Sequence, residues 1–318
     1  MASSGFSFDS SRLPSPFDRV RAERSLDDLA SAGVPVADSG QRALLSAAFG
    51  NSPYLARLVR RDPQFVGAIL AKGPETFVME MRALALSAAQ AGTSSSAMAL
   101  LRSAKRGAAL AIALADISGE WDVDRVTRAL SEFADDCVKG SLRFLLREAA
   151  AQAGLSEPDG ETLELGTGLV VLAMGKFGAF ELNYSSDIDL IVFYDAQRFP
   201  FKKRDDMRAA AVDLVRGLVK LLNEITTDGY VFRIDLRLRP DAGATQVAIS
   251  TEAAELYYES MGQNWERAAM IKARACAGDP EAGRDFLKAI EPFVWRRHLD
   301  YAAIEDIHSI KRQIHAAR

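Results

Sequence analysis

The chain has 318 residues, of which 48% are hydrophobic and 26% are charged, and its formal net charge is −4. This composition argues against a disordered chain and allows a core spread over two or three units. The negative balance argues against a broadly basic nucleic-acid-binding protein. There is neither a signal-peptide core nor an uncharged run of the roughly 18–20 residues that a membrane span needs. We therefore expect a cytoplasmic protein that binds neither nucleic acid nor a membrane.

The first half of the chain is predicted to be helical. Residues 1–18 are rich in Ser and Pro, and we expect them to be flexible. Helices are then predicted over four segments: 41–60, 75–91, 103–117 and 124–150. In the last segment apolar residues recur at spacings close to 3.6, and Cys137 lies in that stripe, where a free thiol usually only packs. A helical domain is therefore expected over 19–157, followed by a helix-breaking segment at 157–168.

After this segment the apolar pattern becomes that of strands. Residues 169–174 form a short apolar run that stops at Gly175, as a buried strand before a tight turn would. A second strand is predicted over 187–195, a helix over 205–225 and a third strand over 230–238. In the third strand, strict alternation would give one apolar face and one polar face. The apolar face would hold Tyr230, Phe232, Ile234 and Leu236, and the polar face Val231, Arg233, Asp235 and Arg237.

From Ser250, a reasonable N-cap, the pattern returns to helices. They are predicted over 251–260, 263–276 and 281–297, with one more from about residue 300. This last pattern is still periodic at its end and has no C-cap residue, so we expect the natural chain to continue. The three histidines, which have no facing nucleophile or ligand pattern, are His298, His308 and His315. The prediction is an α+β protein with a catalytic domain over 158–250 and a C-terminal helical region over 251–318.

Asp187 and Asp189 stand two residues apart at the start of the second strand. Alternate side chains of a strand share a face, so these two like charges would lie together and a cation such as Mg²⁺ would compensate them. If the third strand pairs beside the second, Asp235 joins them, with Arg233 and Arg237 nearby. Three carboxylates around two metal ions, with cations for phosphate oxygens, suit in-line displacement at phosphorus. A solvated acidic pair and a surface row of ion pairs remain open as alternatives.

The segment Gly175-Lys176-Phe177-Gly178 precedes the acidic pair. It lacks the G-x-x-x-x-G-K-[ST] order of a P-loop. A turn there could still expose backbone N–H groups to a phosphate, and an ordinary turn is the alternative. Glu181 and Asn183 are expected to fix the loop rather than take part in chemistry.

Together these motifs resemble a known family. A glycine turn, an acidic pair about a dozen residues later and a third acid on a later strand resemble the nucleotidyltransferase superfamily of the DNA polymerase β type. Three stretches, 174–195, 226–240 and 264–279, are more closely similar to the bifunctional glutamine synthetase adenylyltransferase/adenylyl-removing enzymes. The helices just before them are similar too, so that the resemblance covers roughly residues 40–318.

The resemblance implies a fold, a metal centre and a reaction. It implies a polymerase β-like domain with a small mixed sheet, and two Mg²⁺ ions held by Asp187, Asp189 and Asp235. Phosphate or nucleotide contacts are implied for Gly175, Lys176, Gly178, Ser186, Arg233, Arg237, Arg239 and Lys272. Family members carry two related catalytic units. One removes AMP from a tyrosine of glutamine synthetase with orthophosphate and releases ADP, whereas the other attaches AMP from ATP.

Three features favour the adenylyl-removing unit: the start at Met1, the wording ELNYSSDIDL, and the end of the chain after one catalytic unit. Adenylyl transfer from ATP and an idle regulatory module remain alternatives, although the complete set of three aspartates argues against an idle site. The implied partners are adenylylated glutamine synthetase and a PII-type signal protein. One departure is Ala179, where the family commonly has a second glycine, and this matters only if the position needs a positive φ.

Overall fold

The computed structural model describes residues 8–36, 38–153, 162–202, 206–295 and 312. Helices precede and follow a small mixed sheet, so the predicted α+β class is confirmed. The change from helices to strands lies between 153 and 169, close to the predicted boundary. The exact domain bounds stay a prediction. None of the helices in the described ranges has the length and apolar character of a membrane span.

The described part of the chain begins with a helical region whose helices are separated mainly by prolines and N-caps. They are α1 Arg19–Ser31, α2 Ser39–Asn51, α3 Pro53–Arg61, α4 Pro63–Lys72, α5 Pro74–Ser87, α6 Ser94–Ile117 and α7 Val123–Ala153. Pro53 begins a new helix, since proline is accommodated in the first turn, and it divides the helix predicted over 41–60 into α2 and α3. Helices α1 and α4 were not predicted.

Among the described residues, five strands form the sheet. They are β1 Leu169–Ala173, β2 Ile188–Tyr194, β3 Ile234–Asp235, β4 Ala248–Ser250 and β5 Arg274–Gly278. Strand β1 pairs antiparallel with both β2 and β5, whereas β3 and β4 pair parallel with successive parts of β2. The short helix α8 Gly175–Gly178 joins β1 to the loop before β2, and α9 Met207–Asn223 follows β2. The predicted strands at 169–174 and 187–195 and the predicted helix at 205–225 are confirmed.

Both faces of the sheet are covered. Alternate residues of the central strands, such as Val171 and Leu190, join a core with α6, α7 and α9. The intervening residues, such as Leu172 and Phe193, pack against the helices that follow β4 and β5. Those helices are α10 Thr251–Ser260, α11 Asn264–Met270, α12 Pro280–Ala289 and α13 Glu291–Val294. A strand covered on both sides reads as a continuous apolar run, as the sequence of β1 does.

The third predicted strand is much shorter than expected. Only Ile234 and Asp235 pair with β2, and the predicted alternation is wrong because Val231 and Phe232 are both buried. Their amides donate to the carbonyl of Leu222 at the end of α9. The preceding turn is held by Arg102 of α6, whose guanidinium donates to the carbonyl of Gly229 at 2.7 Å. These contacts bring the segment against the helical region before it reaches the sheet.

The helix predicted over 263–276 is wrong beyond Met270. Helix α11 ends there, and Arg274–Gly278 instead forms β5 at the edge of the sheet. The helix predicted over 281–297 is interrupted, because α12 ends at Ala289 and a new short helix begins at Glu291. The helix predicted from about residue 300 and the three histidines lie outside the described residues.

Candidate active site

The register of β2 and β3 brings two carboxylates together. Asp189 and Asp235 are directly paired residues of these parallel strands. Asp187 lies just before β2, and the amide of the next residue, Ile188, donates to the carbonyl of Arg233 at 2.9 Å. The apolar neighbours of Asp189 point into the core, so Asp189 faces the other side of the sheet. The predicted meeting of Asp187, Asp189 and Asp235 at one place is therefore what the topology produces.

Asp189 is the half-buried centre of this group. Burial, followed by the negative charges of Asp235 and Asp187, raises the pKa of Asp189 from 3.8 to about 6. The positive charges of Arg237 and Lys176 oppose this increase but do not cancel it. The charged form of Asp189 is thus disfavoured by burial and by two neighbouring acids, and a bound cation would relieve this.

Arginines contact the two outer carboxylates. The Arg233 guanidinium donates to Asp187 and also to the carbonyl of Ser185, the latter at 2.9 Å. Arg237 donates from Nε to both carboxylate oxygens of Asp235, at 3.0 and 2.9 Å. This interaction lowers the pKa of Asp235, in contrast to that of Asp189. Arg233 and Arg237 are thus both at the site, as predicted.

The donor set suits a hard divalent ion, since all three groups offer carboxylate oxygens. Within the described ranges, however, no group of three or more Asp, Glu, His or Cys side chains is already arranged around a point that could hold one. Two of the three predicted ligands face arginines instead. Binding of Mg²⁺ by this triad therefore stays a prediction, and it would require the Arg233–Asp187 and Arg237–Asp235 pairs to open.

The glycine turn lies against Asp189. Gly175 has a φ of 55°, and a Cβ there would lie 3.0 Å from the Oδ2 atom of Asp189. Gly178 has still less room, because its Cβ would lie 2.0 Å from the carbonyl oxygen of Lys272. Residues Gly175–Gly178 form one helical turn rather than the predicted plain turn, and Lys176 is exposed beside the acids. Glycine is thus required at both positions, because neighbouring atoms lie too close to leave room for a side chain.

Ala179 does not need a glycine's freedom. Its φ is −85°, in a region open to any residue. The positive φ falls one residue later, at Phe180, where it is 59°. The Arg274 guanidinium lies 3.9 Å from the centre of the Phe180 ring, which helps to hold this uncommon backbone conformation.

Three of the predicted phosphate contacts are engaged elsewhere. Lys272 pairs with Glu181 at 2.6 Å, and Ser186 donates to Asn183 at 2.7 Å, so that Glu181 and Asn183 fix the loop as expected. Arg239 donates to backbone carbonyls of its own loop, those of Leu236, Ala242, Thr245 and Gln246. In this arrangement Arg239 shapes the loop before β4 instead of pointing at the acids.

The sequence analysis missed a pair that supports the glycine turn. Arg274 on β5 donates to Asp135 on α7 through two nitrogens, at 2.8 and 2.9 Å. The same guanidinium donates to the carbonyls of Gly178 and Phe177, both at 3.3 Å. The sequence carries no signal for this pair, because Asp135 lies on the side of α7 opposite the apolar stripe that contains Cys137.

Comparison with known proteins agrees with the motifs. The family model for glutamate-ammonia ligase adenylyltransferase matches residues 43–289. The chain is 50% identical over 295 residues to a bifunctional glutamine synthetase adenylyltransferase/adenylyl-removing enzyme of Rhodopseudomonas palustris, which covers 92% of this chain and 30% of the relative. Similarly named proteins of Bradyrhizobium diazoefficiens and Rhizobium meliloti are each 47% identical over 306 residues, or 93% and 94% of this chain and 31% and 30% of the relatives.

The chain thus spans about 30% of the length of the relatives to which it is similar. The family match includes α6, α7, the whole five-stranded sheet, and the three aspartates with their arginines. The chain belongs to the glutamate-ammonia ligase adenylyltransferase family.

Proposed function

We propose that this chain removes AMP from an adenylylated tyrosine of glutamine synthetase by phosphorolysis. Orthophosphate attacks the α-phosphorus, the bond to the tyrosyl oxygen breaks, and ADP is released. The observation that carries the proposal is the pairing of Asp189 with Asp235 beside the Gly175 turn. The names of the relatives support the general activity within this proposal, which is the transfer or removal of an adenylyl group on glutamine synthetase.

In this mechanism two Mg²⁺ ions would be bound by the carboxylates of Asp187, Asp189 and Asp235. When bound, Mg²⁺ would supply Lewis-acid stabilisation of the phosphoryl oxygens and of the leaving oxygen. The raised pKa of Asp189, caused by burial and then by the charges of Asp235 and Asp187, supports this assignment. Opening of the two arginine pairs would release Asp187 and Asp235 for it.

The chain's cations would then handle the anionic reactants. Orthophosphate and the phosphodiester repel each other, so their approach requires positive charge on both sides. Arg233 and Arg237 are at the acids, and Lys176 is exposed on the glycine turn. Guanidinium groups released from Asp187 and Asp235 would be able to bind phosphate oxygens in a bidentate manner. Exclusion of water from the attacking position would direct the reaction to ADP rather than AMP.

A second candidate is adenylyl transfer from ATP to the tyrosine, in which the tyrosyl oxygen attacks the α-phosphorus and pyrophosphate leaves. The description of the matched family favours it, since it names an adenylyltransferase. The same aspartates and arginines would serve both reactions, because each is an in-line displacement at the α-phosphorus. The sequence ELNYSSDIDL before the acids favours removal.

One experiment separates the two reactions. The chain is incubated with adenylylated glutamine synthetase, Mg²⁺ and orthophosphate, and the nucleotide released is identified by chromatography. We expect ADP from the native chain and at least about 100-fold less from Asp189→Asn. Release of AMP would indicate hydrolysis. Labelling of unmodified glutamine synthetase from [α-³²P]ATP, without ADP formation in the first assay, would support the second candidate.

Regulation and location belong to the proposal as well. A PII-type signal protein is the expected regulatory partner, and the cytoplasm is the expected compartment. Co-sedimentation with the purified signal protein would test the first expectation, and loss of turnover control in its absence would support it.

A further inference from the structure

A cavity of about 820 Å³ lies between the helical region and the catalytic unit. Helices α3 and α6 form one side, and the loops around 184–186 and 228–233 form the other. Its apolar wall includes Leu58, Ala109, Ala113, Ile117, Leu130 and Phe232. This volume is within the usual range of small-molecule sites, which bury a ligand largely against apolar side chains.

Lys105 of α6 lies in this cavity without a charged partner. Its Nζ atom is 4.0 Å from the centre of the Phe232 ring and 5.9 Å from that of Phe133. Within the described ranges its ammonium forms neither a hydrogen bond nor an ion pair. Burial lowers the pKa of Lys105 to about 8. The side chain is half-buried and its ammonium lies against ring faces, so an anion entering the cavity would supply the charged partner that it lacks.

The lining of the cavity contains more basic than acidic side chains, although most of the basic ones already have partners. Among its described residues, Asp116 and Asp228 are the acids, and Asp228 is already paired with Arg61. The basic residues are Arg57, Arg61, Arg102, Lys105, Arg106 and Arg233. Arg106 donates from Nε to Asp62 at 2.6 Å, but its buried Nη1 atom has no hydrogen-bond partner. Lys105 and the Nη1 atom of Arg106 therefore leave donors without partners beside an apolar wall, a combination that suits a ligand with both a flat ring and a phosphate.

The cavity borders the candidate active site at one end. Ser185, Ser186 and Arg233 line it, and Arg233 is the residue that pairs with Asp187. A phosphate at this end of the cavity would compete with Asp187 for the Arg233 guanidinium. Filling the cavity would thus also release the Asp187 carboxylate.

We propose that this cavity binds a nucleoside phosphate, with the base against the apolar wall and the phosphate satisfying Lys105 and Arg233. The inference deepens the proposed function, because it assigns the nucleotide part of the reaction to a specific place between α3, α6 and the 228–233 loop. It goes beyond the acids and the glycine turn by giving a role to Lys105, which lies on the helical region.

Direct binding tests the inference without turnover. ADP, adenosine and orthophosphate are titrated separately into the full chain by calorimetry, with EDTA present so that no metal ion contributes. The variants are Lys105→Met, which keeps the length of the side chain and removes the charge, and Ala113→Leu, which fills part of the apolar wall. Lys220→Met, on the exposed face of α9, is the matched control. Thermal unfolding of each variant verifies that it is folded.

We expect ADP to bind the native chain at least tenfold more tightly than adenosine or orthophosphate. Lys105→Met and Ala113→Leu should each weaken ADP binding about tenfold or more, and Lys220→Met should leave it unchanged. An ADP affinity that is unchanged in both cavity variants, or no ADP binding at all, would overturn the inference. Orthophosphate binding as tightly as ADP, with the same dependence on Lys105, would overturn the nucleoside part and indicate a site for a compact anion.

The two proposals can fail separately. ADP binding that depends on Lys105, in a chain that releases no nucleotide from adenylylated glutamine synthetase, would leave the cavity assignment standing and reject the phosphorolysis. ADP release from adenylylated glutamine synthetase by a chain whose ADP binding is unchanged in Lys105→Met would support the phosphorolysis and reject the cavity assignment.

Discussion

Arg274 on β5 and Asp135 on α7 form a two-nitrogen ion pair that joins the edge of the sheet to the helical region. They are 139 residues apart in sequence. Because Arg274 also donates to the carbonyls of Phe177 and Gly178, this pair fixes the end of the glycine turn on which the candidate active site is built. The helical region is thus part of the support of the catalytic residues.

Replacement of Arg274 by Met should destabilise the chain strongly. The substitution leaves Asp135 buried without its partner, and loss of one member of such a pair typically costs about 3–5 kcal/mol. Urea unfolding measures the effect. Arg284→Met on the exposed face of α12 is the control, and we expect a change below about 0.5 kcal/mol there. A stability of Arg274→Met close to that of the control would contradict the supporting role.

Gly178→Ala should also be severely destabilising. The added Cβ would lie 2.0 Å from the carbonyl oxygen of Lys272 and 2.6 Å from that of Ala173, and neither backbone atom can move without displacing a strand end. We expect a loss above about 2 kcal/mol of unfolding free energy. Gly92→Ala is the matched control, since its Cβ would meet nothing within 4 Å. Equal melting temperatures for the two variants would argue against the close contact of Gly178 with Lys272 and with the end of β1.

Asp189→Asn should reduce adenylyl removal at least about 100-fold, or ~2.7 kcal/mol, because it removes the central carboxylate. In contrast to this loss of activity, we expect the substitution to stabilise the folded chain. The folded pKa of about 6 lies above 3.8, so the charged form is penalised above pH 6 and the penalty is absent once pH falls below about 4.

In metal-free buffer at pH 7 the Asn variant should therefore melt above the native chain, and the difference should disappear as the pH is lowered from 6 to 4. Calorimetric scans at several pH values measure this. A variant that melts below the native chain at every pH would show that Asp189 contributes a stabilising contact instead.

Lys105 should make stability depend on pH in the alkaline range. Its folded pKa of about 8 lies below 10.5, so between these values the unfolded chain binds the proton that the folded chain has released. Unfolding free energy should thus rise as pH increases from 8 to 10. The Met variant at position 105 should be more stable than the native chain at pH 7 and should lose this increase. The comparison is made by urea unfolding, with Lys220→Met again as control.

Much of the fold could be predicted because its signals are local. The apolar runs of β1 and β2 stop at glycine and acidic residues, and the long helix α7 has a clear period. Strand β5 was missed because Arg274–Gly278 contains alanines and no β-branched residue, and it becomes a strand only by pairing with β1. The segment around Val231 lost its strand alternation to contacts with α6 and α9.

The candidate site, like the fold, has features that could be predicted from the sequence and features that could not. Asp187, Asp189 and Asp235 could be predicted to meet, since alternation and strand pairing suffice for that inference. The ion pair between Asp135 and Arg274 depends on packing between segments that are far apart in sequence. The position of Lys105 over Phe232 depends on such packing as well. The engagement of Arg239 by its own loop likewise follows from a turn whose shape the sequence pattern does not specify.

The fate of labelled orthophosphate tests the central claim most directly. The chain is incubated with adenylylated glutamine synthetase, Mg²⁺ and [³²P]orthophosphate, with Asp189→Asn as control. Phosphorolysis predicts that the label appears in ADP, at the β-phosphate, in an amount equal to the adenylyl groups lost. Loss of adenylyl groups with all label remaining as orthophosphate, or equal label in ADP with the control variant, would contradict the account.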